Sequence, residues 1–490
     1  MTAQDRTQPG PPPDRRSDDA YEPDPRRWRA LSVVLVAGFM VLLDVSIVNV
    51  ALPSISQGLG ADDSDLQWVV SGYALAFGLL LVAGGRVGDA RGRRPTLMLG
   101  LAIFTLASAA CGLALNPVML IVARLVQGIG GGLVTPQNAG LIQDLFRGAE
   151  RGRAFGLFGA VVGVSTAIGP LVGGLLIQVG GAQDGWRWIF FVNLPVGIVA
   201  MILAVRTVPQ RVREKGERTD YDPVGAVILG LATLLVLLPF VESRTWSGGL
   251  KWTLLVPAAL LGVLFVQWER VYRRRGRQPM VDLGLFRRRT YSFGSALALA
   301  YFAGFTGVFF IYVQFLQDGL GYSALQSGLA STPFALGSAV SAGLSGRVVT
   351  RLGWKLVTAG LVLVIVGLLG SWVAIGLVGS AAVGWAVAGP FLVAGVGSGL
   401  VIAPNQTLAL SEVPPREGGA AGGVIQTGQR IGSAAGIAAV GSLYYSRLAD
   451  TRGDFAAAVQ DGFLLIIVFV AVALAIAVAD LVVERRDPRQ

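Results

Sequence analysis

Long apolar segments recur along almost the whole chain, and they constrain its fold more than any other feature. A helix needs about 20 apolar residues to cross a bilayer, and backbone groups inside the hydrocarbon must be paired within the protein. The sequence therefore predicts an all-α integral membrane protein with fourteen transmembrane helices. The apolar segments are 30–52, 66–85, 95–115, 117–145, 153–179, 188–206, 223–242, 252–269, 291–317, 324–346, 355–377, 382–410, 418–446 and 462–483.

Composition excludes several classes of function. The 490 residues are 53% hydrophobic and include no histidine and a single cysteine, Cys111. The chain therefore cannot form a Ser-His-Asp triad, a histidine-based zinc site or an internal disulfide, and we expect neither a metal nor a cofactor. No Gly-Lys pair is present for a phosphate-binding loop. If the protein is a pump, its energy comes from an ion gradient or from a partner subunit.

The positions of the basic residues predict the orientation of the chain. The net charge is +10, and most of the 40 lysines and arginines lie in alternate loops. Basic residues accumulate in cytoplasmic loops, so this pattern predicts a multi-pass protein of the inner (plasma) membrane with both termini in the cytoplasm. Because the arginines fall between apolar segments, we expect a bilayer and not a nucleic acid as their partner. The basic residues assigned to the outside are Arg187, Arg244, Lys251, Arg447 and Arg452.

An internal repeat indicates two related halves. The segment 85–94, GRVGDARGRR, recurs in weaker form at 346–355, GRVVTRLGWK, where Thr350 replaces Asp89. Duplicated halves are typical of secondary transporters. We read 85–94 as a short charged loop between two helices. The predicted units are a disordered tail at 1–29, a six-helix bundle at 30–206, a central two-helix insertion with its loops at 207–290, a second six-helix bundle at 291–483 and a tail at 484–490.

Charges inside the apolar segments are candidates for function because a charge within a membrane is costly. Asp44 lies well inside the first segment, and Arg124 lies in the fourth, one turn before Gln127 and Gly128. We predict that Asp44 binds and releases a proton and that Arg124 is its electrostatic partner. The alternatives are an aspartate that only joins helices and an arginine bonded to backbone carbonyls or held in a purely structural pair.

The fifth segment is rich in glycine and contains a proline, which predicts a bent and closely packed helix. Close packing without any functional hinge fits the same residues equally well. The residues concerned are Gly163, Gly169, Pro170, Gly173 and Gly174.

Several other residues are candidates for a substrate pocket. The aromatic members have a face suited to an apolar ligand, although lipid contact or internal packing accounts for them more readily. The candidates are Tyr73, Phe77, Gln127, Tyr301, Phe305, Phe309 and Arg430.

Taken together, these motifs resemble the fourteen-helix drug:proton antiporter branch of the major facilitator superfamily, the EmrB/QacA type. The resemblance covers residues 30–483. It is carried by LDVSIVNVALP around Asp44, by the segment 85–94, by Arg124 with Gln127 and Gly128, by the glycines of the fifth segment, and by WRWIFF at 186–191 followed by Asn193. The chain departs from the pattern at Ser46, where threonine is common, and at Ala90, where a basic residue is usual.

The resemblance implies a proton-coupled efflux transporter that exports amphipathic drugs or toxic small molecules by alternating access. It implies proton coupling at Asp44 and Arg124, a proton gradient in place of a cofactor, and a working monomer. A cytoplasmic latch is implied at Gly85, Gly88, Asp89, Gly92, Arg93 and Arg94.

Two questions about function stay open at the level of sequence. With Asp44 as the only acid deep in the membrane, we expect a lipophilic monocation or a neutral compound as substrate. The alternatives to drug efflux are dedicated export of a metabolite or antibiotic made by the cell itself and, from a different class, a membrane enzyme or lipid-handling protein.

Overall fold

Helices make up all of the regular secondary structure in the computed structural model, which describes residues 23–181, 183–210, 222–242, 248–378 and 382–486. The predicted terminal tails, Arg244 and parts of the two loops around the central insertion lie wholly or partly outside the described residues. The helices are α1 (Arg27–Leu59), α2 (Asp63–Arg91), α3 (Arg93–Gly112), α4 (Pro117–Leu145), α5 (Gly148–Gly180), α6 (Gly185–Phe191), α7 (Asn193–Thr207), α8 (Pro223–Val241), α9 (Leu255–Arg274), α10 (Arg289–Gln314), α11 (Ala324–Leu352), α12 (Trp354–Leu377), α13 (Val383–Ala409), α14 (Gly418–Asp450) and α15 (Phe455–Arg486).

Most of these helices are long and apolar enough to cross a membrane. Among the described residues 11 helical spans qualify, with α6 and α7 forming one span, and α5 is a twelfth if its two parts, inclined at 42°, are counted together. The fold is therefore that of an all-α, multi-pass membrane protein with 11 to 12 candidate spans. The prediction of fourteen depends on α11 and α14, which are 29 and 33 residues long. Both carry many glycine, alanine and serine residues, which lowers their hydropathy.

The helices pack around several apolar cores. Helices α1–α7, called here the first helix group, enclose one core around Trp186 and Phe190. Helices α10–α15, the second helix group, enclose another around Tyr312 and Phe391. The largest core of the first group also includes Tyr291 of the second. In a membrane such contacts are stabilised by close packing more than by the hydrophobic effect, because lipid tails are equally apolar.

Small residues bring the two helix groups together along two helix pairs. A Cβ atom on Gly85 of α2 would overlap the carbonyl oxygen of Gly419 in α14. On the other pair, a Cβ atom on Gly346 of α11 would overlap the carbonyl oxygen of Gly152 in α5. Because Gly85 and Gly346 occupy equivalent positions of the sequence repeat, the two contacts correspond to each other in the two halves.

The segment 85–94 is mostly helical, so reading it as a loop was wrong. Helix α2 continues to Arg91, and α3 begins at Arg93. Gly92 alone, with a φ of 108°, breaks the helix between them. The apolar pattern stops at Arg86, whereas the helix continues to Arg91. An arginine in the last turn of a helix, such as Arg91, interacts favourably with the helix dipole. The second copy behaves alike, with α11 ending at Leu352 and Gly353 adopting a φ of 53°.

The close approach of α10 and α14 can be tested at Gly436. A Cβ atom there would overlap the carbonyl oxygen of Ala303. We expect Gly436→Ala to lower the melting temperature, because overpacking costs about 1–3 kcal/mol, more than the roughly 1 kcal/mol that alanine gains over glycine in a helix. The control is Gly343→Ala in α11, where a Cβ meets nothing within 4 Å. Equal melting temperatures in detergent for the two variants would contradict this packing.

Candidate functional site

A buried ion pair lies inside the first helix group. Arg124 of α4 donates from Nη1 to Oδ2 of Asp44 on α1 over 2.6 Å. The exposed fractions of Asp44 and Arg124 are 0% and 1%. Two isolated charges at such a depth would be strongly destabilising, and pairing offsets much of that cost. The structure thus brings together the two residues that the sequence proposed as partners.

Further polar side chains complete the hydrogen bonding of the carboxylate. Gln127 donates from Nε2 to Asp44 Oδ1 over 2.8 Å, and Asn193 donates from Nδ2 to the same oxygen over 2.9 Å. Gln127 also accepts from Arg124 Nη1 at 2.7 Å and donates to Ser108 Oγ at 2.7 Å. The five residues therefore form one network that joins α1, α3, α4 and α7. Charge-assisted bonds of this kind are stronger than neutral ones.

Sequence reasoning did not assign Asn193 or Ser108 to the site. Asn193 was noted only as part of a motif, and Ser108 was not singled out. Both are fully buried, with exposed fractions of 1% and 0%. A polar side chain within an apolar helix is itself a signal, because it must find a hydrogen-bond partner inside the protein. A polar residue in an apolar segment therefore indicates that a hydrogen-bond partner exists, but the sequence does not identify that partner.

Aromatic rings extend this network toward the second helix group. The Arg124 guanidinium lies 4.1 Å from the centre of the Tyr73 ring. Tyr73 stacks on Phe77, with ring centres 5.8 Å apart and an interplanar angle of 25°. On the other side, the guanidinium of Arg430 in α14 lies 4.4 Å from the centre of the Phe77 ring. The two aromatic residues of α2 that were predicted for the pocket therefore lie between an arginine of the first helix group and an arginine of the second.

The three aromatic candidates of α10 lie elsewhere. Tyr301 stacks on Phe305 at 5.8 Å, and Phe305 contacts Phe309 edge-on at 5.5 Å. Phe334 of α11 packs against both Phe305 and Phe309. These rings belong to the core of the second helix group or pack against it. Their positions fit internal packing, which with lipid contact was one of the two interpretations favoured from sequence.

Asp89 joins the two helix groups at the end where α2 terminates. Its carboxylate accepts hydrogen bonds from the backbone N–H groups of Gly419, at 3.1 Å, and Ala420, at 2.8 Å. These amides belong to the first turn of α14, where unpaired N–H groups and the helix dipole favour a negative charge. A carboxylate of the first group therefore caps a helix of the second.

Arg93 extends this contact. It forms an ion pair with Asp89 and a second one with Asp144, the latter at 2.9 Å between Nε and Oδ2. Its Nη2 also donates to the carbonyl oxygen of Pro415 over 3.1 Å, which reaches the second helix group again. Arg94, by contrast, is half-buried and takes no part in this cluster.

The glycines of the predicted latch have separate packing roles. Gly85 allows the close contact with Gly419, and Gly92 supplies the positive φ between α2 and α3. Gly88 faces the amide of Gln137, which a Cβ atom would overlap. We refer below to the contact formed by Asp89 and Arg93 with the start of α14 as the Asp89 contact.

The candidate glycines of α5 serve two neighbouring helices. Gly163 faces Ala339 of α11, while Gly169 and Gly173 face α1 next to Ser46 and Ile47. A Cβ atom on Gly174 would meet nothing within 4 Å. The side chain of Pro170 lies outside the described residues.

Comparison with known proteins gives the family. Residues 34–437 match the Major Facilitator Superfamily. The chain belongs to this superfamily. It is therefore a membrane transporter and not an enzyme. The proton:xylose symporter XylE, a solved member of the superfamily, superposes with a TM-score of 0.65 over 92% of this chain and 94% of that protein, at 15% identity. This likeness supports the fold alone.

Two curated relatives are more similar in sequence. A protein of Streptomyces coelicolor described as a probable actinorhodin transporter is 37% identical, over 92% of this chain and 78% of its own length. The multidrug resistance protein Stp of Mycobacterium tuberculosis is 34% identical, over 84% of this chain and 75% of its own length.

The Asp89 contact can be tested by spectroscopy. We expect Asp89→Asn to weaken the hold of α2 on α14, because the neutral amide loses the ion pair and the charge-assisted bonds, each worth about 1.5–3 kcal/mol. Spin labels on the exposed residues Arg91 and Arg416 would report longer or broader distances in the variant. Asp450→Asn, at an exposed aspartate where α14 ends, is the control. An unchanged distribution in Asp89→Asn would show that the contact does not hold the two groups together.

Proposed function

We propose that this protein is a proton-coupled exporter of small molecules that works by alternating access. The observation that carries the proposal is the buried Asp44–Arg124 pair with its hydrogen-bonded neighbours Gln127 and Asn193. Protonation of Asp44 removes the charge that balances Arg124. Arg124 is then left with neutral acceptors, among them the carbonyl oxygen of Val69, 3.1 Å from its Nε. Because the pair bridges α1 and α4, a change in its charge alters the contact between these helices.

The Asp89 contact supplies the second element that such a cycle needs. In the described conformation it joins the two helix groups at one end of the molecule, together with the glycine contacts of α2 with α14 and α5 with α11. Opening the transporter toward that end requires these contacts to separate. We propose that this end is cytoplasmic and that the contact is a latch that stabilises the conformation open to the outside.

We further propose the topology of the fourteen-helix EmrB/QacA branch, with both termini in the cytoplasm of an inner-membrane protein. Helices α11 and α14, at about 1.5 Å per residue, are long enough to cross a bilayer, and each has a glycine, Gly346 or Gly419, that packs against the first helix group. This supports counting them as spans. The two bundles would then be 30–206 and 291–483, and the pair α8 and α9 would form the central insertion of a chain that functions as a monomer.

The relatives support export of amphipathic antimicrobial compounds as the function. One is described as a multidrug resistance protein and the other as a probable actinorhodin transporter. We propose efflux of amphipathic drugs or toxic small molecules. Dedicated export of a metabolite made by the cell is the second candidate, and it is favoured by the description of the S. coelicolor relative, which names one transported compound.

Proton coupling can be tested at Asp44. In proteoliposomes we expect Asp44→Asn to abolish proton movement induced by a transported compound, because the amide cannot bind and release a proton in this pH range. Arg124→Ala should impair coupling as well. Asp318→Asn changes an exposed aspartate that follows α10 and should behave like the wild-type protein. Full coupled transport by Asp44→Asn would exclude Asp44 as the proton site.

The function itself can be tested in an efflux-deficient bacterial host. We expect expression of the protein to raise resistance several-fold to some members of a panel of amphipathic antimicrobial compounds. A protonophore should restore their accumulation, since it collapses the gradient that drives export. Resistance to one compound class alone would favour dedicated export. Resistance that persists with the protonophore would exclude proton-driven efflux.

A further inference from the structure

Arg430 is a charged residue in the middle of α14 that has no carboxylate partner among the described residues. Among the described residues, three charged side chains lie well away from both ends of their helices, namely Asp44, Arg124 and Arg430. Asp44 and Arg124 balance each other. The ion pairs formed by the described residues do not include Arg430. The middle of the molecule therefore carries one net positive charge, and it is at Arg430.

The surroundings of Arg430 suit a ligand that is both aromatic and polar. One side of the guanidinium covers the Phe77 ring at 4.4 Å, while the side chain as a whole is only partly buried. Gln426 and Thr427 lie one turn earlier on α14, on the same helix face. The Thr427 hydroxyl, the Gln426 carbonyl oxygen and the Tyr73 hydroxyl are all buried without a hydrogen-bond partner. Buried polar groups are normally paired, so these atoms are available to a bound molecule.

We propose that Arg430 binds the acidic group of an aromatic acid or phenolate that the transporter exports. The inference rests on the proposed export function and assigns its substrate class, in place of the monocation or neutral compound expected from the sequence. A guanidinium binds a carboxylate with two parallel hydrogen bonds and also stacks on aromatic faces. The hydroxyl groups of Tyr73 and Thr427 add neutral donors. A cationic substrate would be repelled by Arg430, and the repulsion is strong where water is scarce.

The position of this site also relates it to the proton site. Phe77, which contacts Arg430, stacks on Tyr73, which contacts Arg124. An anion bound at Arg430 is therefore two rings away from the Asp44 network. A membrane potential that is negative inside favours outward movement of an anion, so it would act in the same direction as the proton gradient.

The test compares two nearly identical probes on the purified full-length protein in lipid nanodiscs. Anthracene-9-carboxylate carries one negative charge at neutral pH, whereas anthracene-9-carboxamide is neutral and of similar shape. Calorimetry or fluorescence titration measures their affinities. We expect the wild-type protein to bind the carboxylate about 10- to 100-fold more tightly, as the loss of a charged hydrogen-bond partner implies. Arg430→Gln should reduce this ratio to about one, and Arg430→Lys, which keeps a point charge, should give an intermediate ratio.

A second arginine of α14 provides the matched control. Arg447 pairs with Asp461 near the end of the helix, and Arg447→Gln should leave the preference for the carboxylate unchanged. Equal affinities of the wild-type protein for the two probes would overturn the proposal without any variant. A preference that persists in Arg430→Gln would overturn it as well.

The result of the probe-binding test can be distinguished from the result of the proton-coupling test at Asp44. Asp44→Asn should lose proton movement and still prefer the carboxylate. If Asp44→Asn loses proton movement while the wild-type protein shows no preference for the carboxylate, proton coupling stands and the acidic substrate class is wrong. If the preference depends on Arg430 but Asp44→Asn transports protons normally, the substrate class stands and the coupling assignment is wrong.

Discussion

The structure depends on how it balances the charged side chains that lie deep inside the helix groups. An ionised carboxylate or guanidinium inside a membrane protein is tolerated only when its charge is balanced and its hydrogen bonds are satisfied. Asp44 and Arg124 meet both conditions through Gln127, Asn193 and Ser108, which come from three further positions on α3, α4 and α7. The arrangement of the first helix group around this network meets that requirement.

The second constraint is close packing between helices that carry few large side chains. Where α2 meets α14 the contact combines glycines with a charged cap, because Asp89 accepts from the first amides of α14. At the equivalent point of the repeat Thr350 is exposed, and α5 begins instead beside Glu150, which pairs with Arg27 at 2.9 Å. Two contacts that correspond in sequence therefore differ in chemistry: at one, a carboxylate caps the facing helix beside the packed glycines, while at the other an exposed threonine stands in the place of that carboxylate.

Much of this architecture can be predicted from single residues and their spacing. Apolar segments reveal helices because only a paired backbone survives in lipid, and Asp44 and Arg124 are conspicuous because charges there are costly. Partners are harder to predict, since a residue such as Asn193 meets Asp44 only after α7 has packed against α1. The helical nature of 85–91 was also missed, because charge interrupts the apolar pattern several residues before Gly92 interrupts the helix.

The sequence by itself determined that the chain is a multi-helix membrane protein with an internal repeat, three interior charges and a charged segment after its second helix. These properties are local, since they follow from the cost of placing each residue in water or in lipid. Only the tertiary structure decided that Asn193 binds Asp44, that Asp89 caps α14, and that Arg430 covers Phe77 without a carboxylate partner among the described residues. Such contacts join residues distant in sequence, and the packing of whole helices determines which of them meet.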